Sequence, residues 1–183
     1  MIRIIPPRPL KKGDLVHLYP PGPHLRPAYQ QFIEENRDYH QPWIYHANDP
    51  RSYDDYLKRI AQGRVLGFFI VRNEDEKLVG VVNLNNILMG GVRSASLGYY
   101  GSREGAGKGY MSEGLRLVLD FAVEKVGLHR IEANVQPGNE ASLRLVRKLG
   151  FRKEGFSPEY LQIGGEWRDH ERWAILDHEI RAL

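Results

Sequence analysis

The stretch Leu97–Leu119, LGYYGSREGAGKGYMSEGLRLVL, decides the fold. It starts as an apolar and aromatic segment, passes through a glycine-rich turn over 105–109, and continues with apolar residues at helical spacing. This pattern predicts a strand, a turn and a helix in succession. Glycines let the backbone approach a phosphate closely, and the free amides at a helix start point toward it. The stretch therefore predicts an anion-binding turn.

Two widespread phosphate-binding motifs do not match this turn. A Walker A loop needs a Ser or Thr after its Gly-Lys pair, and this turn has neither. A dinucleotide fingerprint needs Gly-x-Gly-x-x-Gly after a parallel strand, whereas Gly107-Lys-Gly109 continues to Ser112 and follows a meander. A plain glycine-rich connection between strand and helix stays open as the alternative.

The residues before this stretch predict strands and helices. Apolar, β-branched and aromatic runs between polar turns are typical of strands, and prolines interrupt the first 27 residues. The expected elements are a strand over 14–19, helices over 28–37 and 54–61 with Ser52 as N-cap of the second, and an antiparallel meander over 65–72, 78–86 and 92–100.

The residues after the glycine-rich turn complete an α/β pattern. The expected elements are a helix over 111–126 ended by Gly127, a strand over 129–135, a helix over 139–149 with Asn139 as N-cap, and strand segments over 151–156, 160–163 and 167–176. The order predicts one α/β domain over residues 1–183, in which helices cover a mixed sheet.

Composition excludes several functions. The 183-residue chain has no cysteine, which excludes disulfides, thiolate zinc sites and a cysteine nucleophile, and we expect no metal. Its net charge of +3 comes from scattered residues, so we expect no nucleic-acid partner. No apolar run approaches the roughly 18–20 residues of a membrane span, and the N-terminus lacks a signal-peptide pattern. We therefore expect a cytoplasmic protein without a membrane partner.

In its motifs the chain resembles the GCN5-related N-acetyltransferase (GNAT) superfamily. The turn Glu104–Gly109 is similar to the family's Gln/Arg-x-x-Gly-x-Gly/Ala turn, which receives the coenzyme A pyrophosphate. Four further stretches resemble its ribosomal-protein-alanine N-acetyltransferase (RimJ/RimL-type) branch: Asn36–Trp43, Tyr110–Gly114, Asn139-Glu-Ala-Ser142 with the later Leu149-Gly-Phe151, and Trp167–His170.

The resemblance implies a fold and a cofactor. The expected fold is a GNAT-type mixed, mostly antiparallel sheet of about seven strands with flanking helices, splayed between its fourth and fifth strands. Acetyl-coenzyme A is the implied acyl donor. The residues that the resemblance assigns to its binding are Tyr100, Gly101, Gly105, Ala106, Gly107, Lys108, Gly109, Tyr110 and Asn139.

Two residues depart from the family pattern. Glu104 places an acid where Gln or Arg is usual, beside the expected pyrophosphate; either Arg103 compensates its charge or Glu104 points to solvent. Gly101 stands where the family usually has an apolar residue bordering the acyl group. This glycine predicts extra room near the acetyl group, so a longer acyl chain stays open beside acetyl.

The resemblance implies catalytic candidates in the second half of the chain. Many members have a tyrosine acid seven residues after the motif asparagine, but here that position is Val146. The branch instead suggests Ser142 as the hydroxyl near the sulfur, the alternative being that it only stabilises the helix start. Glu132 is the candidate base, the alternative being a strand carboxylate paired with Arg130 or exposed. His170 is a further candidate base.

The acceptor is the least defined part of the prediction. Trp43 and Tyr39 are the candidate substrate-binding residues, since aromatic side chains after the first helix can line an acceptor groove. The branch resemblance favours the N-terminal amine of a protein, such as a ribosomal protein, acetylated by direct transfer in a ternary complex. The alternatives are a small amine (a polyamine or an aminoglycoside) and a non-catalytic coenzyme-A-binding module. A monomer or a homodimer is expected.

Overall fold

A computed structural model describes residues 8–46, 49 and 51–183. The chain has five α-helices in this described part, the first of which follows a short 3-10 turn at Pro23–Leu25. The helices are α1 (Arg26–His40), α2 (Ser52–Ala61), α3 (Tyr110–Phe121), α4 (Glu140–Lys148) and α5 (Asp177–Arg181).

Eight strands form one sheet in the order β1-β2-β3-β4-β5-β6-β8-β7. The strands are β1 (Lys11–Lys12), β2 (Val16–Tyr19), β3 (Val65–Arg72), β4 (Leu78–Leu88), β5 (Ser94–Gly101), β6 (Arg130–Val135), β7 (Arg152–Ile163) and β8 (Glu166–Leu176). All neighbours pair antiparallel except β5 and β6. The predicted mixed, mostly antiparallel α/β architecture is confirmed.

The sheet has eight strands, where about seven were predicted. The additional strand, β1, consists of Lys11 and Lys12, which pair with Leu18 and His17 of β2. Two lysines carry no apolar alternation, so the sequence pattern could not show this edge strand. The segments expected over 151–156 and 160–163 form the single strand β7, whose register shifts between Ser157 and Leu161.

The sheet is covered by helices on both faces, which explains why β3 is apolar at nearly every position. Phe68 and Ile70 pack in a core shared with α3 and α4, whereas Phe69 and Val71 pack in a second core shared with α1 and α2. Successive side chains of a strand point to opposite faces, so a strand buried on both sides needs a continuous apolar run.

Helix α3 packs closely on the sheet and ends in a wider turn. A methyl group added at Gly114 would lie 2.3 Å from the Cδ1 atom of Ile70, so only glycine permits this approach. The helix continues from Ala122 to Val126 as a π-helical turn, and Gly127 ends it with a φ of 78°. The expected helix end at Gly127 is thus confirmed, with a change of helix type before it.

The sheet opens between β5 and β6. Their parallel pairing runs only from Ser94 and Arg130 to Leu97 and Ala133. Beyond these residues, 98–101 of β5 stay paired with β4, while 134–135 of β6 stay paired with β8. We call this opening the splay. It confirms the predicted splay. The two strands were predicted as the fourth and fifth of the sheet and are numbered β5 and β6 because the additional strand β1 comes before them.

In the part of the chain that the structure describes, no helix has the length and apolarity needed to cross a membrane.

Candidate active site

A cavity of about 580 Å³ lies at the splay. Its walls come from the end of α1 and the loop after it, the end of β5, the glycine-rich turn, the first residues of α3, and α4. Ten of the fourteen residues predicted for the site line it: Tyr39, Trp43, Tyr100, Gly101, Gly105, Ala106, Gly107, Gly109, Asn139 and Ser142. The other four, Lys108, Tyr110, Glu132 and His170, are not among its lining residues.

The glycine-rich turn presents free amides to the cavity. The amides of Gly105, Ala106 and Lys108 donate to the carbonyl oxygens of Ser102, Arg103 and Gly105, respectively, at 3.1–3.2 Å. The amides of Gly107 and Gly109 have no backbone acceptor among the described residues. Both glycines have positive φ values, 75° and 87°, and Gly109 is the N-cap of α3. Unpaired amides at a helix start form a suitable site for an anion, so the turn fits a pyrophosphate group.

Asn36 fixes the position of this turn from outside the cavity. Its side chain is buried in α1, where its Oδ1 accepts a hydrogen bond from the amide of Arg103 at 2.7 Å. Its Nδ2 donates to the carbonyl of Phe32, also at 2.7 Å. Asn36, the first residue of the Asn36–Trp43 segment that resembles the family branch, therefore connects α1 to the residues that lead into the turn.

Glu104 is exposed on the outer side of the turn, as one of its two predicted explanations has it, and Arg72 and Lys77 compensate its charge in place of Arg103. Its carboxylate accepts from Arg72 at 2.8 Å and from Lys77 at 2.7 Å. These two cations lower the pKa of Glu104, with Lys77 making the larger contribution. Arg103 instead lies over the ring of Tyr39, 5.6 Å from its centroid. Glu104 thus anchors the turn to the β3–β4 hairpin and brings no uncompensated charge to the cavity.

The space beside Gly101 is occupied by Met111. A methyl group added at Gly101 would lie 2.7 Å from Met111 Cγ and 3.0 Å from its Sδ, and one at Gly80 would lie 2.4 Å from Sδ. Met111 follows the first residue of α3 and lines the cavity. The prediction that Gly101 leaves extra room is therefore wrong, because the thioether fills that room from the neighbouring helix.

The start of α4 forms the opposite wall. Asn139 caps the helix as predicted, since its Oδ1 accepts from the amide of Ser142 at 3.1 Å. The hydroxyl of Ser142 lies 2.5 Å from the hydroxyl of Tyr99, and both residues line the cavity. Burial raises the pKa of Tyr99 to about 12. Tyr99 was not among the predicted site residues, because its partner is 43 positions away in the sequence.

The two predicted base candidates lie elsewhere. Glu132 accepts from Arg130 at 2.7 Å, and its side chain is 45% exposed. His170 is buried, and its Nδ1 donates to the carbonyl of Arg168 at 2.9 Å. Neither residue is among those that line the cavity. The structure does not bring them to the remaining site residues.

A histidine pair that the sequence reading missed lies at the end of α1. His40 lines the cavity, and its Nε2 donates to the carbonyl of Gly101 at 2.9 Å. In the neutral ring Nδ1 is then an acceptor, so the Nε2–H of His46 donates to it at 2.7 Å. Burial lowers the pKa of both rings, that of His46 to about 4. The neutral pair holds the end of β5 in place.

Trp43 and Tyr39 lie at the cavity as predicted. The carbonyl of Trp43 accepts from the side-chain amide of Gln136 at 3.0 Å. A methyl group added at Gly138 would lie 3.1 Å from the indole of Trp43, so the ring covers the loop before α4. Tyr39 is 36% exposed and faces the rim. These contacts position both side chains on the α1 side of the cavity.

Two cations on α4 complete the lining. Arg144 and Lys148 are four residues apart, so they lie on one side of the helix, and both line the cavity. No ion pair involves either of them among the described residues. They suit the negative charges of coenzyme A.

The described residues contain no cluster of three or more His, Asp or Glu able to hold a metal ion.

Comparisons with known proteins agree with this geometry. A family model described as an acetyltransferase (GNAT) domain matches residues 15–152. The [ribosomal protein uS5]-alanine N-acetyltransferase of Escherichia coli is 32% identical over 162 residues, which are 83% of this chain and 84% of that protein. The spermidine N(1)-acetyltransferase of the same species is 29% identical over 96% of this chain and 87% of its own.

A solved structure of Mycobacterium smegmatis RimJ in complex with CoA-disulfide is also similar. It has a TM-score of 0.80 and 30% identity, and the match covers 91% of this chain and 88% of that one. The family model spans well over half of the chain, and the resemblance to the RimJ/RimL-type branch is confirmed. The chain belongs to the GNAT family and is an N-acetyltransferase whose acyl donor is acetyl-coenzyme A.

Proposed function

We propose that the acceptor is the N-terminal α-amine of a protein, as it is in the name of the uS5-alanine relative. The observation that carries the proposal is the charge of the cavity. Among the described residues that line it there is no Asp and no Glu, whereas Arg144 and Lys148 are both present. The acceptor in such a site has to be recognised without carboxylates.

This charge distribution distinguishes between amine classes. A polyamine carries several positive charges, and its recognition without a carboxylate among the described lining residues would leave those charges uncompensated. A peptide N-terminus carries one amine on a backbone that can be held by hydrogen bonds and by aromatic contacts. Trp43 and Tyr39 offer such contacts on the α1 side.

The absence of Asp and Glu from the described lining residues also fits the proton transfer that the reaction needs. Only a neutral amine attacks a thioester, and an α-amine with a pKa of about 8 is partly neutral at pH 7, whereas a lysine amine with a pKa of about 10.4 is nearly always charged. A site without a carboxylate base is therefore better suited to an α-amine. Glu132, which lies outside the cavity, is not required as a base for this acceptor.

We infer the following roles for the site residues. The free amides of Gly107 and Gly109 bind the pyrophosphate, and Asn36 keeps the turn in register. Acetyl-coenzyme A supplies an activated acetyl thioester. The backbone of β5 near Tyr100 and Gly101 donates to the carbonyl oxygen as negative charge develops there. The amine takes the acetyl group directly, in a ternary complex.

The experiment that tests the proposal is a comparison of acceptors. Thiol release from acetyl-coenzyme A would be measured with N-terminal peptides, with the same peptides carrying a blocked N-terminus and one free lysine, and with spermidine and an aminoglycoside. We expect turnover only with free N-termini, and more of it as the pH rises toward 8. Preferred turnover of spermidine would refute the acceptor proposal and favour the small-amine alternative. Tight coenzyme A binding without turnover of any amine would favour a binding module.

A further inference from the structure

Two hydroxyl groups meet across the splay. Tyr99 lies on β5, two residues beyond Leu97, where the pairing with β6 ends. Ser142 lies in the first turn of α4, the helix that follows β6. Their oxygens are 2.5 Å apart in the cavity wall. This hydrogen bond therefore connects β5 to the helix that follows β6, across the splay.

The chemistry of the two groups gives the direction of this hydrogen bond. A phenol, with an ordinary pKa near 10, is a much stronger acid than an aliphatic alcohol, so it is the better donor and the alcohol oxygen the better acceptor. The O–H of Tyr99 thus donates to Oγ of Ser142. The proton on Ser142 is then free, and among the described residues it has no other acceptor.

Ser142 is also fixed from the backbone side. Its amide donates to Oδ1 of Asn139 at 3.1 Å, which holds the first turn of α4 against the cavity. The hydroxyl group can still rotate about the Cα–Cβ and Cβ–Oγ bonds. The hydrogen bond from Tyr99 fixes the position of Oγ and occupies one of its lone pairs, so the serine O–H turns away from Tyr99 and is available to a group bound in the cavity.

We propose that Tyr99 is a positioning residue, which orients Ser142 so that the serine O–H donates a hydrogen bond to the sulfur that leaves in acetyl transfer. Val146, at the position where many family members carry a tyrosine acid, is fully buried and offers no hydroxyl. A tyrosine hydroxyl reaches this region from β5 instead of α4. The inference concerns the N-acetyltransferase reaction itself and holds for whichever amine is the acceptor.

The proposed step balances without a net change in either residue. The C–N bond forms and the C–S bond breaks, and the sulfur leaves with the bonding electron pair. The hydrogen bond from Ser142 stabilises that developing negative charge. The proton that the thiol finally carries is the one that the attacking amine loses. Burial keeps Tyr99 protonated throughout, because it raises the pKa of the phenol to about 12.

The test is a double-mutant cycle on steady-state turnover. We expect Ser142→Ala to lower kcat by about 100-fold and Tyr99→Phe by about tenfold, since the phenylalanine variant leaves the serine in place but free to rotate. The double variant should have the same kcat as Ser142→Ala within about twofold, because Tyr99 acts through Ser142. Coenzyme A affinity, measured by calorimetry, should stay within about threefold of wild type in all three variants.

A matched control is Tyr56→Phe. The hydroxyl of Tyr56 also donates to a side chain, Oδ1 of Asn83 at 2.7 Å, but Tyr56 does not line the cavity. This variant should lose stability and keep its kcat. An unchanged kcat in Tyr99→Phe would overturn the proposal. So would a larger loss in Tyr99→Phe than in Ser142→Ala, or a double variant whose loss is the product of the two single losses.

Discussion

Removing the side chain of Asn36 tests how the structure builds its cofactor site. Asn36→Ala deletes the buried acceptor of the Arg103 amide and the donor to the Phe32 carbonyl. The Phe32 carbonyl keeps its place in α1, but the Arg103 amide loses its partner at the entrance of the glycine-rich turn. This hydrogen bond is partly buried, and a donor left unpaired there costs up to about 2 kcal/mol, by which we expect the free energy of unfolding to fall.

This loss has two measurable consequences. For a domain of this size, 2 kcal/mol corresponds to a decrease in Tm of about 4–8 °C. Because the turn is then held by fewer contacts, we also expect the Kd for coenzyme A to rise about tenfold, which is about 1.4 kcal/mol. Calorimetric titration measures the Kd, and thermal unfolding with and without coenzyme A measures both effects on the same sample.

The matched control is Asn83→Ala. The side chain of Asn83 is also hydrogen-bonded, since its Oδ1 accepts from Tyr56 at 2.7 Å, but Asn83 lies on β4 and does not line the cavity. This variant should lose a similar amount of stability and bind coenzyme A as wild type does. A folded Asn36→Ala protein with the wild-type Kd would refute the reasoning that Asn36 positions the turn.

Three further predictions concern single positions. Gly107→Ala meets no atom within 4 Å but forces a φ of 75° on an alanine, so we expect a loss of about 1 kcal/mol in the free energy of unfolding and a several-fold higher Kd for coenzyme A. Met111→Ala empties the space beside Gly101, so the ratio of kcat/KM for propionyl- to acetyl-coenzyme A should rise about tenfold; an unchanged ratio would place the acyl group elsewhere. Burial lowers the pKa of His46 from an ordinary 6.5 to about 4, so between these pH values the ring is neutral in the folded protein and protonated in the unfolded chain. The contribution of the neutral ring to the free energy of unfolding is therefore complete above pH 6.5 and is lost as the pH falls toward 4. After allowance for its partial exposure this is about 1–2 kcal/mol, and the Tm of wild type should fall more than that of His46→Asn between pH 7 and pH 5.

The sequence predicted the strands of the sheet because their signals were local and strong, whereas the splay was predicted from the family resemblance. The run over 65–72 gave the bounds of β3 as the structure has them, and Gly127 marked the end of the helical segment. The glycine-rich turn was placed correctly for the same reason, since positive φ values and a helix start leave a local signature. The two-residue strand β1 has no such local signature in the sequence.

The parts of the site that the sequence did not predict depend on partners distant in the chain. Glu104 is 32 residues from Arg72, and Tyr99 is 43 residues from Ser142. Nothing in the neighbourhood of either residue indicates its partner, because those contacts exist only after the sheet has assembled. The glycine at 101 shows why a single position can mislead, since the side chain that fills its space comes from Met111 on another element.

That no carboxylate lies among the described residues lining the cavity could likewise not be deduced from the sequence. Glu132 has the alternation expected of a residue beside the splay, but Arg130 on the same strand takes its carboxylate at 2.7 Å. Whether the Glu132 carboxylate enters the cavity or forms an ion pair on the surface depends on which side chains compete for it. The hydrophobic periodicity of the sequence carries no information on this competition. The charge of the cavity, which supports the acceptor that the family resemblance had already favoured, is known only from the assembled structure.

The most direct test of the account is to locate the acetyl group on a peptide that offers both kinds of amine. A peptide with a free N-terminal alanine and one internal lysine would be incubated with the enzyme and acetyl-coenzyme A, and fragment masses would show which nitrogen carries the acetyl group. If the acceptor is an N-terminal α-amine, the α-amine will carry the acetyl group and the lysine will be unmodified. Acetylation of the lysine in place of the N-terminus would contradict it.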